Sequence, residues 1–160
     1  MWEGRAGRTT FKFVTKSPYD IRMPSDADPL RLLYIDDSMS QLFAVKTKLQ
    51  AKDVEVAIAS DLFTAERLVE GRDLIIVDYH LSNSDGAAIV AQLKRQRGGE
   101  KPLFYLYTAD RNIAADYSRY GFDGAFTQKG ALDELARQVG NVAKLIRMRR
   151  ALPSSPRIRH

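Results

Sequence analysis

Three carboxylates, a hydroxyl and an ammonium group recur in this chain at one kind of place, the end of a short apolar run. Leu32-Leu33-Tyr34-Ile35 leads into Asp36-Asp37, Leu74-Ile75-Ile76-Val77 into Asp78, Pro102-Leu103-Phe104-Tyr105-Leu106-Tyr107 into Thr108, and Gly124-Ala125-Phe126-Thr127 comes shortly before Lys129. Two adjacent carboxylates joined by a third from another segment make a hard, oxygen-only pocket. Such a pocket suits Mg²⁺, which takes a few carboxylates and keeps several waters. Without a cation the three carboxylates repel one another. A lysine facing them holds an oxyanion as a point charge, and a threonine hydroxyl donates to the same group. The set matches phosphoryl transfer, in which metal and lysine neutralise the equatorial oxygens while an oxygen nucleophile attacks in line. Aspartate is an accepted nucleophile for that chemistry.

Each residue also has an ordinary explanation. Asp37-Ser38 ahead of a helix serves as a cap, Asp78 after an apolar strand starts a turn, Thr108 is a β-former, and a loop lysine such as Lys129 is normally solvated. Their conjunction sets them apart, because four separate segment ends carry the required types in the required order.

The elements that must bring these ends together follow a regular alternation. From Leu30 onward, short β-branched or aliphatic runs each precede ten or so residues of helical periodicity. After the first run, Ser38 can cap a helix with Leu42, Phe43, Val45 and Leu49 on one side. The run Val54–Ala59 precedes a helix around Phe63, Ala65, Leu68 and Val69 that stops near Gly71. Leu74–Val77 is wholly apolar and suits a central strand buried on both faces; its helix carries Ala87, Ile89, Val90 and Leu93 and stops at Gly98-Gly99. A weaker helix from Asn112 to Tyr120 follows the fourth run. The last helix begins near Ala131, with Asp133 and Glu134 in the first turn where the dipole favours anions, and puts Leu132, Leu135, Val139, Val142 and Ile146 on one face.

Five such units predict an α/β fold with a parallel sheet covered by helices on both faces, since right-handed crossovers place them there. They are too few for an eight-unit barrel. An open doubly wound sheet remains, and its ligand site lies at the carboxyl ends of the strands. All the chemically able residues above sit at those ends.

With 160 residues the chain has room for one ordinary domain of roughly 100–150 residues and modest extensions. Residues 1–29 read as a flexible N-terminal extension, residues 30–150 as the domain with an extended last helix, and residues 151–160 as a basic tail. Charge is unevenly spread. Residues 30–140 hold 14 basic and 16 acidic side chains, whereas residues 141–160 hold six basic and none acidic. Zero cysteines exclude a disulfide framework, thiolate metal sites and cysteine nucleophiles, and fit a reducing compartment. No segment approaches the ~18 consecutive apolar residues of a spanning helix, and the first residues lack the apolar middle of a secretory signal. A cytoplasmic protein without membrane insertion is the expectation.

At these residues the sequence resembles the receiver domain of two-component response regulators, of the chemotaxis-regulator type with a flavodoxin-like fold, over about residues 30 to 146. The likeness lies in the acidic pair Asp36-Asp37 within Leu33-Tyr34-Ile35-Asp36-Asp37-Ser38. It extends to Asp78 followed by Asp85-Gly86, to Thr108-Ala109, and to Lys129 with Phe126 three positions earlier. The resemblance implies a sheet of strand order 2-1-3-4-5. It implies that Asp78 accepts a phosphoryl group from a phosphohistidine, with Asp37 and Asp78 binding Mg²⁺ directly, Asp36 acting largely through water, and the backbone carbonyl of His80 completing the set. Lys129 and Thr108 would hold the phosphoryl oxygens. The inward pull on Thr108 would let Phe126 move and remodel the face of helix four, strand five and helix five. Three positions depart from the pattern: Ser82 stands where the family often has proline, Gly130 follows Lys129 where proline usually forms a cis peptide, and Phe126 has no hydroxyl.

The expected partners are a sensor histidine kinase or a histidine phosphotransfer protein and a downstream protein target, with the long last helix able to serve a homodimer or a docking surface. The chain would not be an enzyme beyond catalysing its own phosphorylation and dephosphorylation. Two variants share the fold: a degenerate receiver that binds partners without phosphorylation, and a receiver fragment of a hybrid histidine kinase. An aspartyl phosphatase of the haloacid dehalogenase type generally wants a second aspartate two residues after the first, where this chain has His80. Specific DNA binding is not expected, because a basic tail alone attracts nucleic acid only nonspecifically.

Overall fold

The computed structural model describes residues 28–96 and 101–152. The expected N-terminal extension up to residue 27, the Gly98-Gly99 stop and the tail from residue 153 lie outside them. Five strands, β1 (Leu30–Ile35), β2 (Val54–Ala59), β3 (Leu74–Val77), β4 (Leu103–Tyr107) and β5 (Gly124–Phe126), pair in parallel in the order β2-β1-β3-β4-β5. Between and after them run α1 (Met39–Leu49), α2 (Leu62–Leu68), α3 (Gly86–Gln96), α4 (Arg111–Ala115) and α5 (Leu132–Ala151). The doubly wound sheet and its strand order are those expected.

Alternation along β1 explains why the sheet is covered twice. Leu30, Leu32 and Tyr34 join Leu42, Val45, Leu49, Val139, Val142 and Ile146 in one core, under α1 and α5. Leu33 and Ile35 face the other way, into a second core with Ala65 of α2, Val69 just beyond it, and Ile89, Val90 and Leu93 of α3. A strand residue points opposite to its neighbour, so a strand that serves both layers needs apolar residues on both of its faces. β3, Leu-Ile-Ile-Val, is fully buried in that way.

Local chemistry sets the helix ends. Ser38 caps α1 by accepting from the Gln41 N–H, and Asp61 caps α2 by accepting from Thr64. Gly71 takes φ 79°, the left-handed region open to glycine, just beyond α2. The helix expected from Asn112 to Tyr120 is instead broken. α4 ends after Ala115, and a separate 3-10 turn spans Tyr117–Tyr120, closed by Gly121 at φ 91°. Asp116, Tyr117 and Ser118 have weak helix propensity, which lets the break occur. Two apolar residues assigned to buried faces are outside: Phe43 is 55% and Phe63 68% exposed.

The basic end of α5 is partly spent inside the fold. Arg147 donates to the Asp53 carbonyl at 2.7 Å and Arg150 pairs with Asp73, anchoring the last turns to the ends of the sheet. Among the described residues no helix is long and apolar enough to cross a membrane.

Candidate functional site

The ladder itself delivers the first two acids. β1 and β3 are neighbours with Ile35 opposite Val77. Beyond the last pair, the Asp78 N–H donates to the Ile35 carbonyl at 3.0 Å and the Asp36 N–H to Ala59 at 3.1 Å. Asp36 and Asp78 therefore leave the sheet side by side at its carboxyl edge. They are 1% and 6% exposed, and Thr108 at the end of β4 is 4% exposed. Asp37 lies at the partly open lip. One carboxylate oxygen from each of Asp36, Asp37 and Asp78 comes within 4.8 Å of the other two.

Lys129 closes the group from the β5–α5 loop. Its Nζ stands 2.9 Å from Asp78 Oδ1 and 3.2 Å from Asp36 Oδ2. Burial alone would lower its pKa, but the hydrogen bonds and charges of Asp78 and Asp36 outweigh that and hold the ammonium above its ordinary range. Burial pushes the Asp78 carboxyl up, and Lys129 pulls part of that shift back. The loop is shaped for the purpose, with Gln128 at φ 58° and Gly130 at φ 99° on either side of Lys129.

Asp36 and Asp37 are also held by groups to which the sequence reading gave no part in the site. Asp36 Oδ2 accepts from the buried Tyr34 hydroxyl at 2.5 Å, and Oδ1 accepts from the Ser38 N–H at 3.0 Å. Asp37 Oδ2 accepts both the Ser82 N–H, at 2.8 Å, and the Ser82 hydroxyl. Those bonds keep the Asp37 carboxyl below its usual range. Tyr34 did carry a signal, as a phenol inside an otherwise aliphatic strand two residues before Asp36 and hence on the same strand face. Ser82 was marked only as the residue that stands where the related family often has proline, with no part in the site.

The remaining expected residues are nearby but differently engaged. Thr108 Oγ1 accepts the Asp110 N–H at 3.2 Å, leaving its own proton free to donate elsewhere. His80 is exposed, with Nε2 3.8 Å from Asp110 Oδ2 and its ring edge-on to Tyr79 at 5.1 Å. Phe126 points inward and stacks on Tyr105 with ring centroids 4.7 Å apart. A cavity of about 630 Å³ lies between Thr108, Ala114, Ala115, Ala125 and Lys129. Gly86 explains the Asp85-Gly86 pair: a Cβ there would lie 2.8 Å from the Asp78 carbonyl oxygen.

The donor set fits Mg²⁺. Oxygens around that ion at about 2.1 Å stand roughly 2.9 to 4.2 Å apart, and one oxygen from each of the three carboxylates already lies within 4.8 Å of the others. Both oxygens of Asp36 are engaged by protein donors, whereas both Ser82 donors fall on a single oxygen of Asp37, Oδ2.

No family model and no curated protein matches the chain. Solved structures do. The chain is similar to the receiver domain of the Francisella response regulator 1452 at 22% identity and TM-score 0.60, over 72% of this chain and 97% of that one. It is similar to a CheY-like receiver domain from Methanospirillum hungatei at 18% identity and TM-score 0.63, over 76% and 99%. It is likewise similar to the response regulator TrrA from Thermotoga maritima, solved in complex with Mg²⁺ and beryllofluoride, at 22% identity and TM-score 0.58, over 70% and 97%. The chain thus carries the fold of response-regulator receiver domains, and it covers those domains nearly end to end.

Proposed function

We propose that this chain is a phosphorylatable receiver of a two-component phosphorelay, with Asp78 as the acceptor. The observation that carries the reading is Lys129 Nζ at 2.9 Å from Asp78 Oδ1, beside two further carboxylates, at the carboxyl edge of a 2-1-3-4-5 sheet. The fold alone would not distinguish a working receiver from a degenerate one. The intact acid and lysine constellation supports the working one.

In this reading an oxygen of Asp78 attacks the phosphorus of a phosphohistidine on a sensor kinase or phosphotransfer protein. A P–O bond forms, the P–N bond breaks with its electron pair leaving on the imidazole nitrogen, and protonation returns neutral histidine. Attack of water on the acyl phosphate later restores Asp78 and releases phosphate. Asp37, Asp78 and the His80 carbonyl would hold Mg²⁺, with Asp36 acting through water, and the ion would there neutralise charge on the phosphoryl oxygens. Protein donors on both oxygens of Asp36, Ser38 on Oδ1 and Tyr34 and Lys129 on Oδ2, support that indirect role. Lys129 turns from Asp78 Oδ1 to a phosphoryl oxygen, and Thr108 donates its free proton to another.

Leaving the Asp110 amide would carry Thr108 toward the phosphoryl group. That movement would disturb the α4 cap, because Asp110 also accepts from Asn112 and Ile113. The face of α4, β5 and α5 would respond, with Phe126 acting through shape alone. A partner would meet the site beside Met39 and Phe63, which are exposed around a cavity of about 660 Å³ next to Asp37.

The test is incubation with Mg²⁺ and a small phosphodonor, read by intact mass beside Asp78→Ala. A single phosphoryl adduct on the parent alone is expected. No adduct, together with no response to beryllofluoride, would leave only a phosphorylation-independent binding module.

A further inference from the structure

The turn that presents Lys129 lacks the ring constraint of a proline, and a buried phenol stands in the place where that constraint is needed. Gly130 sits at φ 99°, and a Cβ added to it would touch nothing within 4 Å, so side-chain packing does not hold the turn. Its backbone N–H, however, donates to the Tyr107 hydroxyl at 2.9 Å. Tyr107 is the last residue of β4, fully buried, so that hydroxyl is fixed by the sheet. The same ring lies 5.7 Å beneath the Lys129 ammonium, within range of a cation–π contact. Its edge packs on Tyr34 with centroids 6.2 Å apart, and Tyr34 in turn donates to Asp36.

We infer that Tyr107 is the positioning residue of the site: it clamps the Lys129-Gly130 turn to the end of β4 and so holds the lysine over Asp78. Tyr34 performs the matching task for Asp36. The two tyrosines form a polar floor under the acid and lysine cluster, built from buried strand residues. This rests on the phosphoryl-acceptor reading above.

The clamp explains how a permissive glycine coexists with a well-placed lysine. It also makes glycine necessary, because a side chain at φ 99° is strained and proline has no N–H to give Tyr107.

Tyr107→Phe tests it, since that variant keeps the ring, its packing on Tyr34 and the face under Lys129, and loses one oxygen. The Gly130 amide should lose protection in hydrogen exchange. The rate of adduct formation at saturating phosphodonor and Mg²⁺ should fall about fivefold, the worth of one net hydrogen bond, while the Mg²⁺ dissociation constant stays put because Asp36, Asp37 and Asp78 are untouched. Tyr34→Phe should do the reverse first, weakening Mg²⁺ binding through Asp36. Equal Gly130 exchange in parent and Tyr107→Phe overturns the clamp. An unchanged adduct rate, or a loss shared equally by rate and Mg²⁺ affinity, overturns its positioning role. A parent chain that takes no phosphoryl group sinks the acceptor reading instead, and the Gly130 exchange comparison still decides the clamp.

Discussion

Ser82 donates both its backbone N–H and its hydroxyl to one oxygen, Oδ2, of Asp37. The bonds tie the loop after β3 to the loop after β1. They also keep the Asp37 carboxyl ionised to lower pH than usual.

Replacing Ser82 should therefore be read at Asp37. Ser82→Ala removes the hydroxyl and Ser82→Pro removes both donors. The Asp37 carboxyl should titrate progressively closer to its ordinary value in an NMR pH series. A carboxyl with a depressed folded-state pKa contributes stability above the unfolded value that is lost as pH falls through the folded one, so both variants should flatten that acid limb. An unmoved Asp37 titration in Ser82→Pro would show that the tie does not operate in solution.

Mg²⁺ should bind and stabilise the chain, and its affinity should rise with pH over an interval set by Asp78. Burial raises the Asp78 pKa, so the folded chain keeps a proton that the unfolded chain has already released. That group costs stability as pH climbs from the ordinary carboxylate range through its raised value, and ligation needs the ionised form. Calorimetric titration at a series of pH values should show affinity climbing across that interval, with the step gone in Asp78→Asn. Saturating Mg²⁺ should add about 2.7 kcal/mol at roughly 100 times Kd.

Gly86→Ala should damage site and fold together. The new Cβ would stand 2.8 Å from the Asp78 carbonyl oxygen and 3.0 Å from the Tyr79 Cα, both backbone atoms of the acceptor loop. The loop must shift or the helix must back away, at a cost of about 1–3 kcal/mol for overpacking. Denaturant midpoints and adduct formation should fall together; an unaffected adduct rate would mean the loop adapts without moving Asp78.

Phe126→Ala should be among the more costly single changes at the β5 edge. Phe126 is buried and stacked on Tyr105, and it joins the core shared with Leu135 and Tyr107. Truncation removes that stack and leaves a cavity, a loss of about 3–5 kcal/mol. Phe126→Leu should recover part of it in thermal melts. If both variants melt like the parent, Phe126 is not packed as described.

Much of this architecture was legible in the chain because strand signals are local. Val54–Ala59 and Leu74–Val77 form strands with the bounds read from their composition, and the reactive residues stand where those runs end. A parallel sheet carries every such end to one edge, so the candidate Asp36, Asp37, Asp78, Thr108 and Lys129 could be named before any contact was seen. The weaker points were those where composition is ambiguous. Phe43 and Phe63 are apolar and fall near the right helical spacing, yet both face solvent. The stretch after Asp110 holds enough alanine to read as one helix, but Asp116 breaks it.

What the sequence determined alone was the order of elements, the edge on which chemistry collects and the residue types gathered there, since all three follow from hydrophobic period and chain direction. Only the tertiary structure decided which donor meets which acceptor. That Lys129 reaches Asp78, that Ser82 holds Asp37, and that Tyr107 holds Gly130 are contacts between loops and strands far apart in the chain, and no local pattern encodes them. They arise because packing the two faces of the sheet brings those ends within hydrogen-bond reach, and the buried charges of Asp36 and Asp78 must find a partner there or forfeit their solvation.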